Sequence, residues 1–357
     1  MENLKAKPKN KNKKPLYILL IFIGVFSLFV YWLLKPSLEA TAITEINSSI
    51  NIEDVKGVFY KYKSDLITSE EFCQATRDKL NSFGLKQSEI AEIKKWLPSK
   101  TDNINVIVVP DLSNRITDNT NNENQIKRDS IIIDAICENF EKKVKLKMNS
   151  KDKLTIDVTD RNQAGGKVGE LADTLKFNLE NFKDKSNRLY FDNHKSQFKA
   201  GVQKLYEVAY KFELEHPKGG GADYVSYFST TLKSKIKKST LDDNYTNILI
   251  ILTDGYLEAT KPDGSIVSYY NLNPLSIDET SNCKLRDVEV FLLDFNRKKG
   301  ANDSDEKRLK KWWFDWLKSM NVKNATDENT EDEVIVNRVD GYTDVKRKVE
   351  EIINRKW

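Results

Sequence analysis

The chain has 357 residues and a mass of 41.2 kDa, which gives room for two modules and is too long for one small disulfide-stapled fold. With 39% hydrophobic and 31% charged residues it can build a core under a solvated surface, so global disorder is excluded. The net charge of +4 comes from one end: residues 1–14 hold six lysines and one Glu, while the remainder carries 52 basic against 53 acidic residues and lacks the clustered basic footprint of a nucleic-acid-binding body. Cys73, Cys137 and Cys283 are an odd number without Cys-x-x-Cys spacing, so neither a disulfide framework nor a zinc site is expected. Cys137 lies in an apolar helical pattern and is expected to pack in a core. His194 and His216 are the only histidines, which leaves little material for imidazole chemistry.

After the basic tail 1–14, residues 15–34 run for 20 positions without a charge, the length of a helix that spans the hydrocarbon layer. Tyr17 at one end and Tyr31 and Trp32 at the other suit the headgroup level. Lysines crowd the N-terminal side, so the positive-inside rule places the tail in the cytoplasm and the body outside it. The expectation is a single-pass anchor with the main domain periplasmic or on the cell surface. Cleavage at Ala40-Thr41-Ala42 would release the same domain in soluble form.

Residues 36–100 read as a short helical stalk or spacer. Thr68-Ser-Glu-Glu71 has capping-box spacing, Gly84 is a plausible helix stop, and a second helix fits Ser88 to Leu97 before Pro98. From residue 103 to 357 strands and helices alternate. Asn105–Val109, Leu154–Val158, Ile248–Leu252, Val288–Leu293 and Val334–Val339 read as strands. Ser130–Val144, the Phe198–Ala209 stripe, 224–237, Glu306–Met320 and Val345–Ile353 read as helices. Leu175–Leu179 and Leu189–Phe191 are candidates for an antiparallel edge strand, and segments flanking Pro262-Asp-Gly264 for a hairpin. Such alternation implies an α/β fold with a doubly wound, mostly parallel sheet.

Ligand sites in open α/β sheets lie beyond the carboxyl ends of the strands. There the first buried strand runs into Asp111-Leu-Ser113-Asn-Arg115 and the central one into Thr253-Asp254-Gly255, while Gly219-Gly-Gly221-Ala222-Asp223 precedes a helix. This set resembles the von Willebrand factor type A family, whose metal-ion-dependent adhesion site combines Asp-x-Ser-x-Ser after the first strand, a Thr in a later loop and an Asp after the fourth. The resemblance implies that Asp111, Ser113 and Asp254 form a metal site for Mg2+, with a protein partner recognised at that rim. Two positions depart from the pattern: Arg115 stands where the family has its second Ser, and Ala222 or Asp223 where it has the Thr. Either Asp223 adds a carboxylate that completes a metal site, or Arg115 pairs with Asp111 or Asp254 and substitutes for the ion.

The leading functional expectation is a membrane-tethered protein-binding module and not an enzyme. The alternatives are an inert structural subunit of an envelope complex and a metal-dependent hydrolase or phosphatase using Asp111 as nucleophile, although Ser113 stands where such enzymes place a second Asp. Trp312, Trp313 and Trp316 span more than one helical face, so any exposed remainder is a candidate partner contact.

Overall fold

The computed structural model describes residues 36–117, 124–145, 147, 150–180, 186–216, 222–260, 265–295, 302–338 and 342–354. The chain divides into two units, Met1–Pro98 and Ser99–Trp357.

The first unit is helical: α1 (Leu38–Ser48), α2 (Ile52–Leu66), α3 (Glu70–Asn81) and α4 (Gln87–Ile93). Its core is aromatic, with Phe59 stacked on Phe72 at 5.6 Å and tilted against Trp96 at 5.2 Å. The cap of α3 falls on Ser69, one residue later than a box starting at Thr68 would place it; its Oγ accepts the N–H of Phe72 at 3.0 Å. Gly84 takes φ +67°, the left-handed conformation expected of the residue that stops a helix. Ser69→Ala should cost this unit about 1 kcal/mol, the usual value of a lost N-cap, read as a lower urea midpoint of its helical signal.

Among the described residues no helix is long and apolar enough to cross a membrane. The longest, Ser186–Glu215, carries charges along its length, including Asp192, Lys195, Lys199, Lys204 and Glu207. The segment expected to span, 15–34, lies outside the described residues. On this finding the expected transmembrane anchor, and with it the single-pass localisation, does not stand.

The second unit is α/β. In chain order it has β1 (Thr101–Pro110), α5 (Gln125–Lys145), β2 (Lys153–Ile156), α6 (Lys167–Thr174), β3 (Lys176–Asn178) and α7 (Ser186–Glu215). Then come α8 (residues 224–235, with a π-helical turn at Tyr227–Thr231), β4 (Asp243–Leu252), β5 (Glu258–Thr260), β6 (Ile266–Ser268), β7 (Val288–Phe295), α9 (Asp303–Ser319), β8 (Ile335–Asn337) and α10 (Thr343–Asn354). The main sheet has the order β3-β2-β1-β4-β7-β8, parallel except for β3, and β5 pairs with β6 in a separate antiparallel hairpin.

Side chains alternate across the strands. Val106 and Val108 with Ile248 and Ile250 face a layer drawn from α5, α6, α7 and α10, whereas Ile107 and Val109 with Leu249 and Ile251 face one drawn from α8 and α9. Burial on both faces explains why these strands are nearly continuous apolar runs rather than alternating ones.

Two local expectations change. Leu189–Phe191 belongs to α7, not to a strand, because Phe191 and Phe198 continue one apolar helical stripe onto Phe177 of β3. Helix 224–237 ends at Lys235 and is interrupted by the π turn. The three cysteines are free, and burial pushes the Cys137 thiol up to about 12, as suits an inert core residue.

Candidate functional site at the carboxyl rim of the sheet

Four of the five parallel strands deliver an aspartate to one rim: Asp157 follows β2, Asp111 follows β1, Asp254 stands two residues past β4, and Asp294 is the penultimate residue of β7. Asp111 is fully buried, and its N–H donates to Leu252 O at 2.9 Å, which carries the β1–β4 ladder one rung further. Its Oδ1 accepts the N–H of Ser113 (3.1 Å) and its Oδ2 the hydroxyl of Thr253 (2.9 Å), while the Thr253 hydroxyl in turn accepts the N–H of Gly255 (3.0 Å). Asp254 is half-buried and its Oδ1 accepts the N–H of Tyr256 at 3.0 Å. Gly255 makes this turn possible: φ is +89°, and a Cβ there would fall 2.2 Å from the buried ring of Phe295. Asp111 and Asp254 therefore share one rim.

Arg115 does not make the pair expected from sequence. Its guanidinium meets Asp129 of α5 in bidentate geometry, 2.8 Å for each bond, and lies 3.7 Å from Asp294; toward Asp111 it reaches only the backbone carbonyl, at 3.4 Å. The physical reason is location. The short 3₁₀ turn Asn114–Ile116 carries the side chain under α5, where Asp129 is wholly buried and needs a cation.

Around this pair lies a buried network. Gln125 uses both amide hydrogens, donating to Asp129 Oδ1 and Asp294 Oδ2 at 2.9 Å each, and its Oε1 accepts from Arg338 at 3.1 Å. Arg128 Nε donates to Asp294 Oδ1 at 2.5 Å, and the Tyr206 hydroxyl to Asp129 Oδ2 at 2.9 Å. Two arginines thus meet two aspartates with every carboxylate oxygen bonded, the condition under which buried ions are tolerated. Burial opposes the Arg115 charge, but Asp129, Asp111 and Asp294 outweigh it and hold its pKa well above the ordinary guanidinium value.

Asp157 is neutralised separately, by Arg161 at 3.0 Å, Lys235 at 3.2 Å and the Tyr227 hydroxyl at 3.2 Å. Beside Asp111, Glu213 of α7 is almost wholly buried. Its Oε1 accepts from Gln163 (2.9 Å), whose amide also donates to Leu112 O (3.2 Å), and its Oε2 has no hydrogen-bond partner among the described residues.

Burial pushes the Glu213 carboxyl from about 4.5 up to about 7, with Asp111 and Asp160 adding to the rise and Gln163 and His216 opposing it. The folded state therefore holds this proton more tightly than the unfolded chain. The resulting stabilisation is complete below pH 4.5 and is lost as pH rises to 7. It amounts to something on the order of 3 kcal/mol for a displacement of this size. Glu213→Gln keeps the acceptor for Gln163, so it should flatten the pH dependence of urea stability in that window and leave the variant more stable than the parent at pH 8.

The donor set does not fit a divalent ion as the family resemblance implies. Both Asp111 oxygens are engaged, Arg115 replaces a hydroxyl ligand, and Ala222 is buried and offers no oxygen on its side chain. Asp223, the proposed third carboxylate, caps α8 by accepting the N–H of Ser226 at 3.0 Å. Among the described residues no group of three or more His, Cys, Asp or Glu side chains is placed to hold a metal ion. Gly219-Gly220-Gly221 lies outside the described residues.

The tryptophans are not a contact surface. Trp312, Trp313 and Trp316 are buried, and their indole N–H groups donate to Leu272 O (2.7 Å), Gly255 O (2.9 Å) and the Thr280 hydroxyl (2.9 Å). They cover more than one helical face because α9 sits between the sheet and the segments after β4, so two directions are apolar.

Sequence reasoning missed Asp129, Asp294, Arg128 and Glu213. Asp294 was findable, since it directly follows the apolar run Val288–Leu293; Asp129 and Glu213 sit within or beside helical stripes where a charge ordinarily faces solvent. Compared with known proteins, the chain matches no family model, no curated protein and no solved structure.

Proposed function

We propose that the α/β unit is a protein-binding module of the von Willebrand factor type A kind, whose rim is held by internal ion pairs in place of a metal. The observation that carries this reading is the placement of Asp111-x-Ser113 and Asp254 after the neighbouring parallel strands β1 and β4, the first and fourth in chain order, as in that family's pattern. The partner meets the accessible parts of the same loops: Asn114 is exposed, and Ser113, Asp223, Asp254 and Tyr256 are half-buried. Binding rather than hydrolysis is supported by Asp111, which is too deeply buried and too fully bonded to attack a substrate.

The test compares partner capture by the parent chain and by Ser113→Arg/Asn114→Arg, each with and without chelator. Capture that is insensitive to chelator and lost in the double variant is the expected result. Capture lost in chelator and regained with magnesium would sink the metal-free rim. Capture unaffected by the double variant would place the contact elsewhere, and phosphatase activity abolished by Asp111→Asn would replace the binding module with an enzyme.

A further inference from the structure

The edge of the main sheet offers an interaction surface of a different kind. β3 is the terminal strand, paired with β2 on one side only. Ile156 N–H donates to Leu175 O (2.9 Å) and Leu179 N–H to Asp152 O (3.1 Å), so residues 175, 177 and 179 turn their backbone groups toward β2. Antiparallel pairing alternates, and the N–H and C=O groups of Lys176 and Asn178 therefore point to the open side. No described residue bonds them.

A groove of about 370 Å3 runs along this edge. It is lined on the strand side by residues 174–178 and on the other by Tyr190, His194 and Gln197, which share one face of α7, with Phe198. Phe177 and Phe198 are buried with ring centroids 4.7 Å apart, so the helix wall is firmly packed against the strand. Five residues of edge extend roughly 16 Å, room for a strand of about five residues.

We propose that this edge takes up an extended acidic peptide from a partner protein as an added antiparallel strand. Unpaired main-chain donors and acceptors in register call for another backbone, which separates a strand from a helix or a small molecule as occupant. The charge of the groove selects among strands. Lys176 is exposed, and among the described residues no carboxylate lines the groove, so an acidic residue opposite Lys176 gains a cross-strand pair. Its neighbours in the alternation fall on the opposite face, toward Phe177, Tyr190 and Phe198, and are apolar. Self-pairing of two copies centred on Phe177 sets Lys176 opposite Asn178 and leaves the two Lys176 side chains as diagonal neighbours on one face, about 7–8 Å apart, where like charge opposes the association as it does on natural edge strands.

The probe is a fluorescein-labelled heptapeptide alternating Glu and Val, titrated into the full chain and followed by anisotropy. Four controls accompany it: a Lys/Val peptide, two Glu/Val peptides N-methylated at alternate amides in one register or the other, and the variant Lys176→Glu. The proposal expects saturable binding of the Glu/Val peptide, roughly tenfold or greater weakening on N-methylation in one of the two alternating registers, and a reversed preference in Lys176→Glu, which binds Lys/Val better. An unchanged urea midpoint for Lys176→Glu shows that the sheet is intact. Absence of saturable binding, equal binding in both N-methylated registers, or an unaltered preference in Lys176→Glu overturns it. Concentration-dependent dimerisation that Lys176→Glu alters and the peptide does not compete with assigns the edge to a second copy instead.

Discussion

Arg115→Ser is expected to destabilise the α/β unit by about 3–5 kcal/mol, the cost of breaking a buried ion pair from one side. The substitution restores the Asp-x-Ser-x-Ser spelling at the rim, yet millimolar magnesium should return little of the loss. The carboxylate that loses its cation is Asp129, beneath α5, whereas Asp294 keeps Arg128 and Asp111 keeps its bonds from Ser113 and Thr253. Adding Asp129→Asn removes that stranded charge and should recover part of the stability. Equilibrium unfolding of the parent, both single variants and the double variant, each with and without magnesium, decides the matter. A magnesium-dependent rise confined to Arg115→Ser would mean that the guanidinium was blocking a competent metal site.

Trp313→Ala should cost about 3–5 kcal/mol, as large buried aromatics do when truncated. The indole is fully buried, meets Tyr224 edge-on at 5.6 Å and Trp316 at 5.3 Å, and donates to Gly255 O at 2.9 Å. That last bond ties the interior of α9 to the turn carrying Asp254, so the loss should appear both as a lower melting temperature and as weaker partner capture at the rim. Trp313→Phe retains most of the packing and should separate the two effects. A melting temperature within a degree of the parent in Trp313→Ala would show that the cluster is loosely packed.

The α/β class was legible because strands buried on both faces must be continuously apolar. Ile248–Leu252 and Val288–Leu293 announce themselves, and the amphipathic stripes between them fit helices. The short edge strand β3 was also legible, since Leu175, Phe177 and Leu179 alternate with polar residues. Leu189–Phe191 was misread because three residues cannot separate a period of 2 from one of 3.6, and only the contact of Phe191 and Phe198 with Phe177 resolves it.

At the rim, sequence alone determined which residues arrive: the end of a buried parallel strand has one address, so Asp111 and Asp254 had to lie on the same edge once β1 and β4 were neighbours. Which charges meet there was decided only in three dimensions. Arg115 is four residues from Asp111 and 14 from Asp129, yet it chooses Asp129, because α5 buries that carboxylate beyond the reach of water while Asp111 is satisfied by a backbone N–H and a hydroxyl. Asp294 joins the same network from 166 residues beyond Arg128. A desolvated charge is paired with whichever opposite charge the packing brings within hydrogen-bond distance, and separation along the chain does not enter that choice.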